Sequence, residues 1–365
     1  MSAAIPEPDW WRGRRVLVTG HTGFVGGWLS AWLAKLGAQV SGFALAPPTQ
    51  PSFFELTGIA SRLAANTIAD VTDFAALTRA IDACDPQVVF HLAAQPMVRE
   101  AHRSPVATYA TNVMGTVNLL EACRGREALE RLVVYTTDKV YRNDQSGRAF
   151  GEDERLGGNE PYSASKASAE WAVAAWWESY FRRASRPPGV ATVRAGNIVG
   201  GGDWGHERLL PDAIRAFSER LPLVVRNPAA TRPWQHVLDA VRGTLVLAER
   251  LEAADAPAES LAWNFGPPEG EVHSVERVAA VAAKAWGEGA TWRHEPDGSI
   301  PESRALVLSS ARAAEAIGWR CAWGLDRAVA KAIEWYRAAR GGGDLLELTA
   351  RQIDDHVVEV PGASA

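Results

Sequence analysis

The stretch VVYTTDKVY, residues 133–141, begins as an apolar run and ends in two hydroxyls, an acid and a base: Thr136, Thr137, Asp138 and Lys139. Further on, PYSASKASAEWA (161–172) sets Tyr162 and Lys166 four residues apart at a helix start, hence on one helix face. A free tyrosine has a pKa of about 10 and is a poor base at neutral pH. An ammonium beside it stabilises the phenolate, so such a pair can take a proton from a hydroxyl while hydride leaves the same carbon. Thr137 ends a strand, where open parallel sheets hold their ligands, and is placed to hydrogen-bond the same hydroxyl. Read alone, Tyr-x-x-x-Lys is an ordinary helix surface pair and Asp138–Lys139 an exposed charge pair. The scaffold around them decides.

That scaffold alternates β-rich runs with helical patterns. RRVLVTG (14–20) reads as a strand, and Val25, Trp28, Leu29, Trp32, Leu33 and Leu36 recur at helical spacing until Gly37. Then come AQVSGFAL (38–45), a helix near 72–83, PQVVFHLAA (86–94), a helix near 105–124, RLVVYTTD (131–138), a helix over about 162–183 and VATVRAGNIVG (190–200). Such alternation predicts a Rossmann-type, doubly wound parallel sheet covered on both faces. Residues 1–196 form this domain, with a segment near 232–250 returning to it. Beyond residue 200 helices near 208–220, 238–252, 274–287, 310–317 and 325–340 mix with short strands such as LVVRN (223–227) and WNFG (263–266). Residues 197–345 therefore read as a smaller mixed α/β substrate domain, and 346–365, after GGGD (341–344), as a partly mobile tail. Trp28, Trp32, Trp171, Trp176 and Trp177 lie at helical spacings that suit packing.

Between the first strand and its helix stands VTGHTGFVGGWL (18–29), with Gly20, Gly23 and Gly26 spaced G-x-x-G-x-x-G. The first suits a tight turn, a side chain at the second would block a pyrophosphate, and the third lets helix and strand approach. A helix N-terminus adds N–H groups and a positive dipole end, so a dinucleotide site is predicted. No acidic residue precedes Glu55 after this loop and no arginine stands between Gly20 and Arg62, and the lack of a basic partner for a 2′-phosphate favours NAD. Asp70 follows the third strand and can reach an adenine or cap a helix.

The bulk properties exclude several classes. The net charge is −5, so no global basic surface recruits nucleic acid or an anionic membrane. No apolar run is long enough to span a bilayer and MSAAIPEPDWW lacks a leader pattern, which reads as a cytoplasmic protein. Cys84, Cys123 and Cys321 are odd in number and far apart, and the histidines show no metal-ligand spacing, so neither a disulfide framework nor a metal site is expected.

TGHTGFVG, HLAA (91–94), TNVMGT (111–116) and YSASK resemble the extended short-chain dehydrogenase/reductases that act on nucleotide sugars. Within them HTGFVGGWL, AAQPMV, TTDKVY, LGGNEPYSASK, VRAGNIVGGGDW, RPWQHVL and WNFGP resemble the 4,6-dehydratases of the CDP-glucose type, over roughly residues 14–340. The chain departs from the family at Ala46, often acidic, and at Val25, often lysine. The resemblance implies a cofactor site of Gly20, Gly23, Phe24, Val25, Gly26, Asp70 and Val71, continued by Leu92, Ala93, Ala94, Asn112, Tyr162 and Lys166. It implies substrate contacts at Gln95, Asn197, Arg208, Leu209, Arg226, Arg232 and Arg304, the arginines suiting a diphosphate. It also implies a homodimer joined by a four-helix bundle, and the helices at 105–124 and 162–183 do carry apolar Val117, Leu120, Trp171 and Trp176 beyond one face.

The implied reaction is that of a hydro-lyase: oxidation at C4 of the hexose, elimination of water across C5 and C6, and return of hydride to C6. Oxidation needs only Thr137, Tyr162 and Lys166. Elimination also needs an acid for the C6 oxygen and a base near C5. Asp138 is the acid, provided burial keeps it protonated. Lys139 serves either as a neutral amine that takes the C5 proton, which requires burial, or as a cation that stabilises the C5 enolate. An epimerase of the same fold has no use for the Asp138–Lys139 pair, and a non-catalytic NAD-binding protein none for Thr137, Tyr162 and Lys166.

Overall fold

The computed structural model describes residues 4–252, 261–296 and 306–362. Seven strands form the central sheet: β1 (Arg15–Thr19), β2 (Gln39–Ala44), β3 (Ala65–Ile68), β4 (Val88–His91), β5 (Arg131–Tyr135), β6 (Gly189–Ala195) and β7 (Ala262–Phe265). Their order is β7-β6-β5-β4-β1-β2-β3, and every neighbouring pair is parallel. From β1 the chain runs outward through β2 and β3, then returns to the other side of β1 as β4. The strand order therefore reverses between β1 and β4, which opens a crevice at the carboxyl ends of the strands.

Alternation within the strands divides the core in two. Val16 and Val18 pack with Trp28 and Trp32 on one face, whereas Leu17 packs with Leu77, Leu119 and Leu132 on the other. The first face is covered by α1 (Phe24–Lys35), the second by α2 (Phe74–Cys84), α3 (Gly115–Cys123) and α4 (Pro161–Ser179). Trp28, Trp32 and Trp177 are buried, as their spacing predicts, but Trp171 is 69% exposed.

The second unit carries α5 (Leu209–Ser218), α7 (Val275–Trp286) and a parallel pair, Leu223–Val225 with Trp292–His294. Between them α6 (Val237–Arg250) returns to pack against β5, β6 and β7. Two expectations are corrected. WNFG does not belong to the second unit: β7 hydrogen-bonds to the edge of β6, the outermost parallel strand available, and buries Phe265 there. Nor do residues 345–358 form a mobile tail. α8 (Leu325–Arg340) stops at Gly341, and α9 (Leu345–Val358) starts afresh from Asp344, whose carboxylate accepts the Glu347 N–H at 2.9 Å. α9 then buries Leu345, Leu348 and Ile353 and meets α1 through Lys35 and Asp354, 3.0 Å apart.

Candidate active site

The glycine loop sits at the crevice. Gly20 has φ +78°, and a Cβ there would lie 2.7 Å from the Ala93 nitrogen. A Cβ on Gly26 would lie 2.2 Å from the Gly20 carbonyl oxygen, so helix and turn touch backbone to backbone. Gly23 differs, because only that carbonyl oxygen comes within 4 Å of its Cβ position and open space lies beyond. Gly23 is also the N-cap of α1, so the N–H groups of Phe24 and Val25 in the first turn have no intrahelical partner. The rim across from it is Leu92-Ala93-Ala94, whose first two N–H groups donate to the Thr19 hydroxyl at 3.2 and 3.3 Å. Asp70 lies past β3 and accepts the Thr72 N–H at 2.8 Å, while the cap of α2 is Asp73. Val71 is buried with its side chain against Gly115.

His91, which the sequence presents only as part of HLAA, braces this rim. The Thr19 hydroxyl already accepts two N–H groups, so its proton goes to His91 Nδ1, 2.7 Å away. Nε2–H then donates to Thr116 at 3.1 Å, and Thr116 donates to the Asn112 carbonyl at 2.8 Å. Burial first, and the Lys166 charge second, push the imidazole down to about 3, so it is neutral. Asn112 sits in a π-helical turn, Ala110–Met114, of the kind often met at functional sites. Its side chain holds Gln95 through the Gln95 N–H (2.8 Å) and carbonyl (3.1 Å), and Ser165 at 2.9 Å. Asn112 therefore braces the site wall. The Gln95 amide is engaged within its own loop, donating to Met97 O and Thr108 Oγ1.

Tyr162 and Lys166 share one face of α4, whose start is capped by Glu160 accepting the Tyr162 and Ser163 N–H groups at 2.7 and 2.8 Å. The ammonium, however, is turned to the end of β5, where it donates to the Tyr135 carbonyl at 2.9 Å. Burial lowers Lys166 to about 8, against the pull of Glu170. Burial raises Tyr162 to about 12; its hydrogen bond with Thr137 works the other way, Asp138 adds to the rise and Arg208 opposes it. The sequence expects the Lys166 ammonium to lower the tyrosine, but here it meets the Tyr135 carbonyl and the opposing pull on Tyr162 comes from Thr137 and Arg208. Spacing set the two residues on one face but could not say which atom the ammonium would meet.

Next door Asp138 is buried, and its pKa is raised by desolvation, opposed by Lys139, Thr137 and Arg232. One oxygen, Oδ1, accepts from the Thr137 hydroxyl at 3.1 Å; the other, Oδ2, has no hydrogen-bond partner among the described residues. A protonated carboxyl with a free donor is what an acid awaiting a leaving group requires. Lys139 is exposed instead, its Nζ 6.0 Å from the Tyr162 ring centroid. The protein alone does not supply the burial a neutral amine needs.

Arg232, on a two-residue strand, donates to the Thr231 carbonyl at 2.7 Å and directs its charge at Asp138. Arg208 precedes Leu209 at the start of α5, pairs with Asp203 at 2.9 Å and bears on Tyr162. Asn197 starts a short strand beside Trp234. Arg226 follows Val225 and bears on Asp212. Arg304 lies outside the described residues.

A family description, "NAD dependent epimerase/dehydratase family", matches residues 16–266. The chain belongs to this family. It is 40% identical to the CDP-glucose 4,6-dehydratase of Salmonella typhimurium over 354 residues, 96% of this chain and 98% of that one. It is 33% identical to a dTDP-glucose 4,6-dehydratase of Neisseria gonorrhoeae over 63% of this chain and 67% of the other. Among solved structures, the Thermus thermophilus UDP-glucose 4-epimerase in complex with NAD superposes with TM-score 0.75 at 25% identity, covering 89% of this chain and 99% of that one. The Bacillus anthracis dTDP-glucose 4,6-dehydratase in complex with NAD gives 0.74 at 21%, covering 92% and 100%, a likeness of fold.

Membership in the epimerase/dehydratase family makes the cofactor NAD, and the residues present fit it. Gly23 leaves room where a pyrophosphate must pass, and the α1 N-terminus faces that room with unpartnered donors. Beyond β2 stand Leu45 and Ala46, so the adenosine end meets no carboxylate there. Among the described residues no cluster of His, Cys, Asp and Glu could hold a metal, and no helix is long and apolar enough to cross a membrane.

Proposed function

We propose that this chain is a cytoplasmic hydro-lyase that converts CDP-glucose to CDP-4-keto-6-deoxyglucose and water. The observation that carries it is the buried Asp138 carboxyl, with Oδ2 unpartnered, one residue from the Thr137 that bonds Tyr162. Oxidation or epimerisation at C4 has no use for a held proton at that point. The 40% identity to a CDP-glucose 4,6-dehydratase supports the nucleotide.

NAD, held by the glycine loop at Gly20, Gly23 and Gly26, would supply the hydride acceptor for C4 and the hydride donor for C6. Tyr162, hydrogen-bonded to Thr137, takes the proton of the C4 hydroxyl. At about 12 it is too weakly acidic to start as phenolate in the protein alone; Lys166, on the same face of α4, and the positive ring that NAD would bring are the charges that would lower it. The resulting C4 ketone acidifies C5–H and makes the C6 oxygen a β-leaving group. Lys139 takes the C5 proton: burial raises the Asp138 pKa, which weakens the hold of that carboxyl on the amine's charge, and the sugar covering Lys139 supplies the desolvation. Asp138 gives its proton to the departing C6 oxygen, and water leaves. Lys139 then returns a proton to C5 as C6 receives hydride, and the proton that Tyr162 took from the C4 hydroxyl passes by way of the Thr137 hydroxyl to reload Asp138, so one water is lost and each group regains its starting state.

Arg232 and Arg208 suit the diphosphate, with Asn197, Leu209, Arg226 and Arg304 further along the nucleotide. Two copies pair through α4 and the 105–123 segment, where Val106 (83%), Met114 (52%) and Trp171 (69%) are exposed; Leu120 is buried in the chain's own core and takes no part. Sedimentation checks this: a dimer that becomes monomeric with Trp171→Arg is expected, and a monomeric wild type contradicts it.

Parallel incubation with CDP-, TDP-, UDP- and GDP-glucose tests the reading. Alkali-developed absorbance of a 4-keto-6-deoxy product is expected with the highest kcat/KM on CDP-glucose. A higher value on TDP-glucose overturns the nucleotide, and a C4 epimer in place of the keto sugar overturns the reaction.

A further inference from the structure

The segment that carries Thr137, Asp138 and Lys139 is a short turn between β5 and a loop, a poor foundation for groups that must hold a transition state. Both of its ends are tied to the same buried ion pair. Glu170 on α4 and Arg194 on β6 face each other with 5% and 4% of their side chains exposed, and Arg194 Nε reaches both carboxylate oxygens at 2.9 and 3.1 Å. At the near end Thr136 donates its hydroxyl to Glu170 Oε1 at 2.6 Å. At the far end Arg194 Nη1 donates to the Tyr141 hydroxyl at 2.8 Å, and Tyr141 donates on to Asn264 Oδ1 at 2.7 Å. Glu170 also stands four residues after Lys166 and eight after Tyr162, on the same face of α4.

We infer that the Glu170–Arg194 pair is a positioning clamp that sets the elimination segment 137–139 against the redox residues of α4. The inference rests on the dehydratase reading given above. Arg194 donates to the Glu152 carbonyl as well, at 3.0 Å, so three groups, the Glu170 carboxylate, the Tyr141 hydroxyl and this carbonyl, converge on one guanidinium whose plane cannot turn without moving them all. A buried ion pair is weak evidence for stability, because desolvation offsets its Coulombic gain, and replacing one by apolar groups is often neutral or stabilising. What this pair does that an apolar pair could not is aim hydroxyls at both ends of six residues, 136 to 141. The redox residues have a separate support: Lys166 bonds the Tyr135 carbonyl, and Tyr162 rides on a helix capped by Glu160. Slackening the clamp therefore displaces the 137–139 segment while leaving Tyr162 and Lys166 where they are: elimination loses the placement of both Asp138 and Lys139, oxidation only that of Thr137, and elimination falls further.

The test cuts the tethers and keeps the ion pair. Thr136→Val and Tyr141→Phe each remove one hydroxyl without changing the packing volume greatly, and Thr136→Ser keeps its hydroxyl. With CDP-glucose and NAD, each of the first two is expected to lose about 10- to 100-fold in dehydration kcat, the scale of a misplacement of about 1 Å, with KM nearly unchanged. Because C4 oxidation continues while elimination stalls, the near-ultraviolet absorbance of reduced nicotinamide accumulates during turnover, and deuterium incorporation at C5 falls in step with product. Thr136→Ser restores wild-type partitioning. Should Thr136→Val fail to fold, as thermal melting reports, Tyr141→Phe carries the test alone. A folded variant that loses oxidation and elimination equally, or neither, overturns the clamp while wild-type dehydration leaves the functional reading intact. A wild type that leaves CDP-glucose untouched overturns both.

Discussion

The molecule buries two clusters of charge, and they behave differently. Behind the candidate site, burial works against the Arg194 charge, but Glu170 reaches it at two points and the guanidinium is held more firmly protonated than usual. Under α6, Asp239, Arg242 and His356 are all fully buried, yet their contacts are looser: Arg242 Nη2 is 3.4 Å and His356 Nε2 3.5 Å from Asp239 Oδ1. There burial wins. It pushes Asp239 up to about 6, lowers Arg242 and drives His356 well below its usual range. Their attachments differ too. The second cluster holds the Ala4 carbonyl (2.8 Å) and the Ala322 N–H (2.7 Å), tying the start of the chain and the 320–323 loop to α6 and, through His356, to α9. A buried charge becomes functional through what it holds: the first pair ends on the reacting segment, the second on the ends of the chain.

Four variants sharpen or break this contrast. Asp138→Asn removes the proton that the first cluster holds in place. Dehydration is expected to fall by about 10²- to 10⁴-fold, the usual contribution of a general acid, with single-turnover C4 oxidation retained. Equal loss of both steps contradicts the division of labour. Arg194→Met and Arg242→Met each leave a buried carboxylate uncompensated, and each should cost about 3–5 kcal/mol in denaturant unfolding. The difference lies in activity per folded molecule, which Arg242→Met leaves unchanged and Arg194→Met loses.

The smallest effect is one of pH. Asp239 is raised in the folded state, from 3.8 to about 6, so the native chain holds a proton that the unfolded chain releases first. Its contribution to stability is complete below the unfolded pKa and is lost as pH rises to about 6, amounting to at most about 3 kcal/mol. Glu249, which burial first raises to about 7, titrates in the same sense, so the measurement belongs in a Glu249→Gln background. There Asp239→Asn should flatten unfolding free energy against pH between about 4 and 6. An unchanged slope would mean that the Asp239 proton is not what the cluster trades.

The sequence made the first region legible in part. The glycine loop could be read because its three positions are contiguous and each answers to one steric demand, met at Gly20 by φ +78° and at Gly26 by a contact that excludes Cβ. Asp138 was legible as an acid because it closely follows a buried strand, Arg131–Tyr135, and is buried with it. Lys139 was not: one position along the same short turn it emerges exposed, although its Nζ stays 6.0 Å from the Tyr162 ring centroid. Glu170 continues the spacing of Tyr162 and Lys166, yet its partner Arg194 is 24 residues distant and joins it only once β6 lies beside β5. A longer separation hid β7, which pairs with β6 about 70 residues earlier in the chain. The last helix was hidden differently, since the glycines at 341–343 look like the start of a tail although they only separate two helices.

The central claim is that Asp138 and Lys139 add an elimination to the redox chemistry of Tyr162. Turnover of CDP-glucose with NAD in deuterium oxide, followed by proton NMR of the sugar, tests it most directly. The account predicts a 4-keto-6-deoxy product with deuterium at C5 and a C6 methyl that carries none, because C6 receives the hydride that left C4. A sugar that keeps its C6 hydroxyl with inversion at C4, or a keto sugar that retains the original proton at C5, would contradict it.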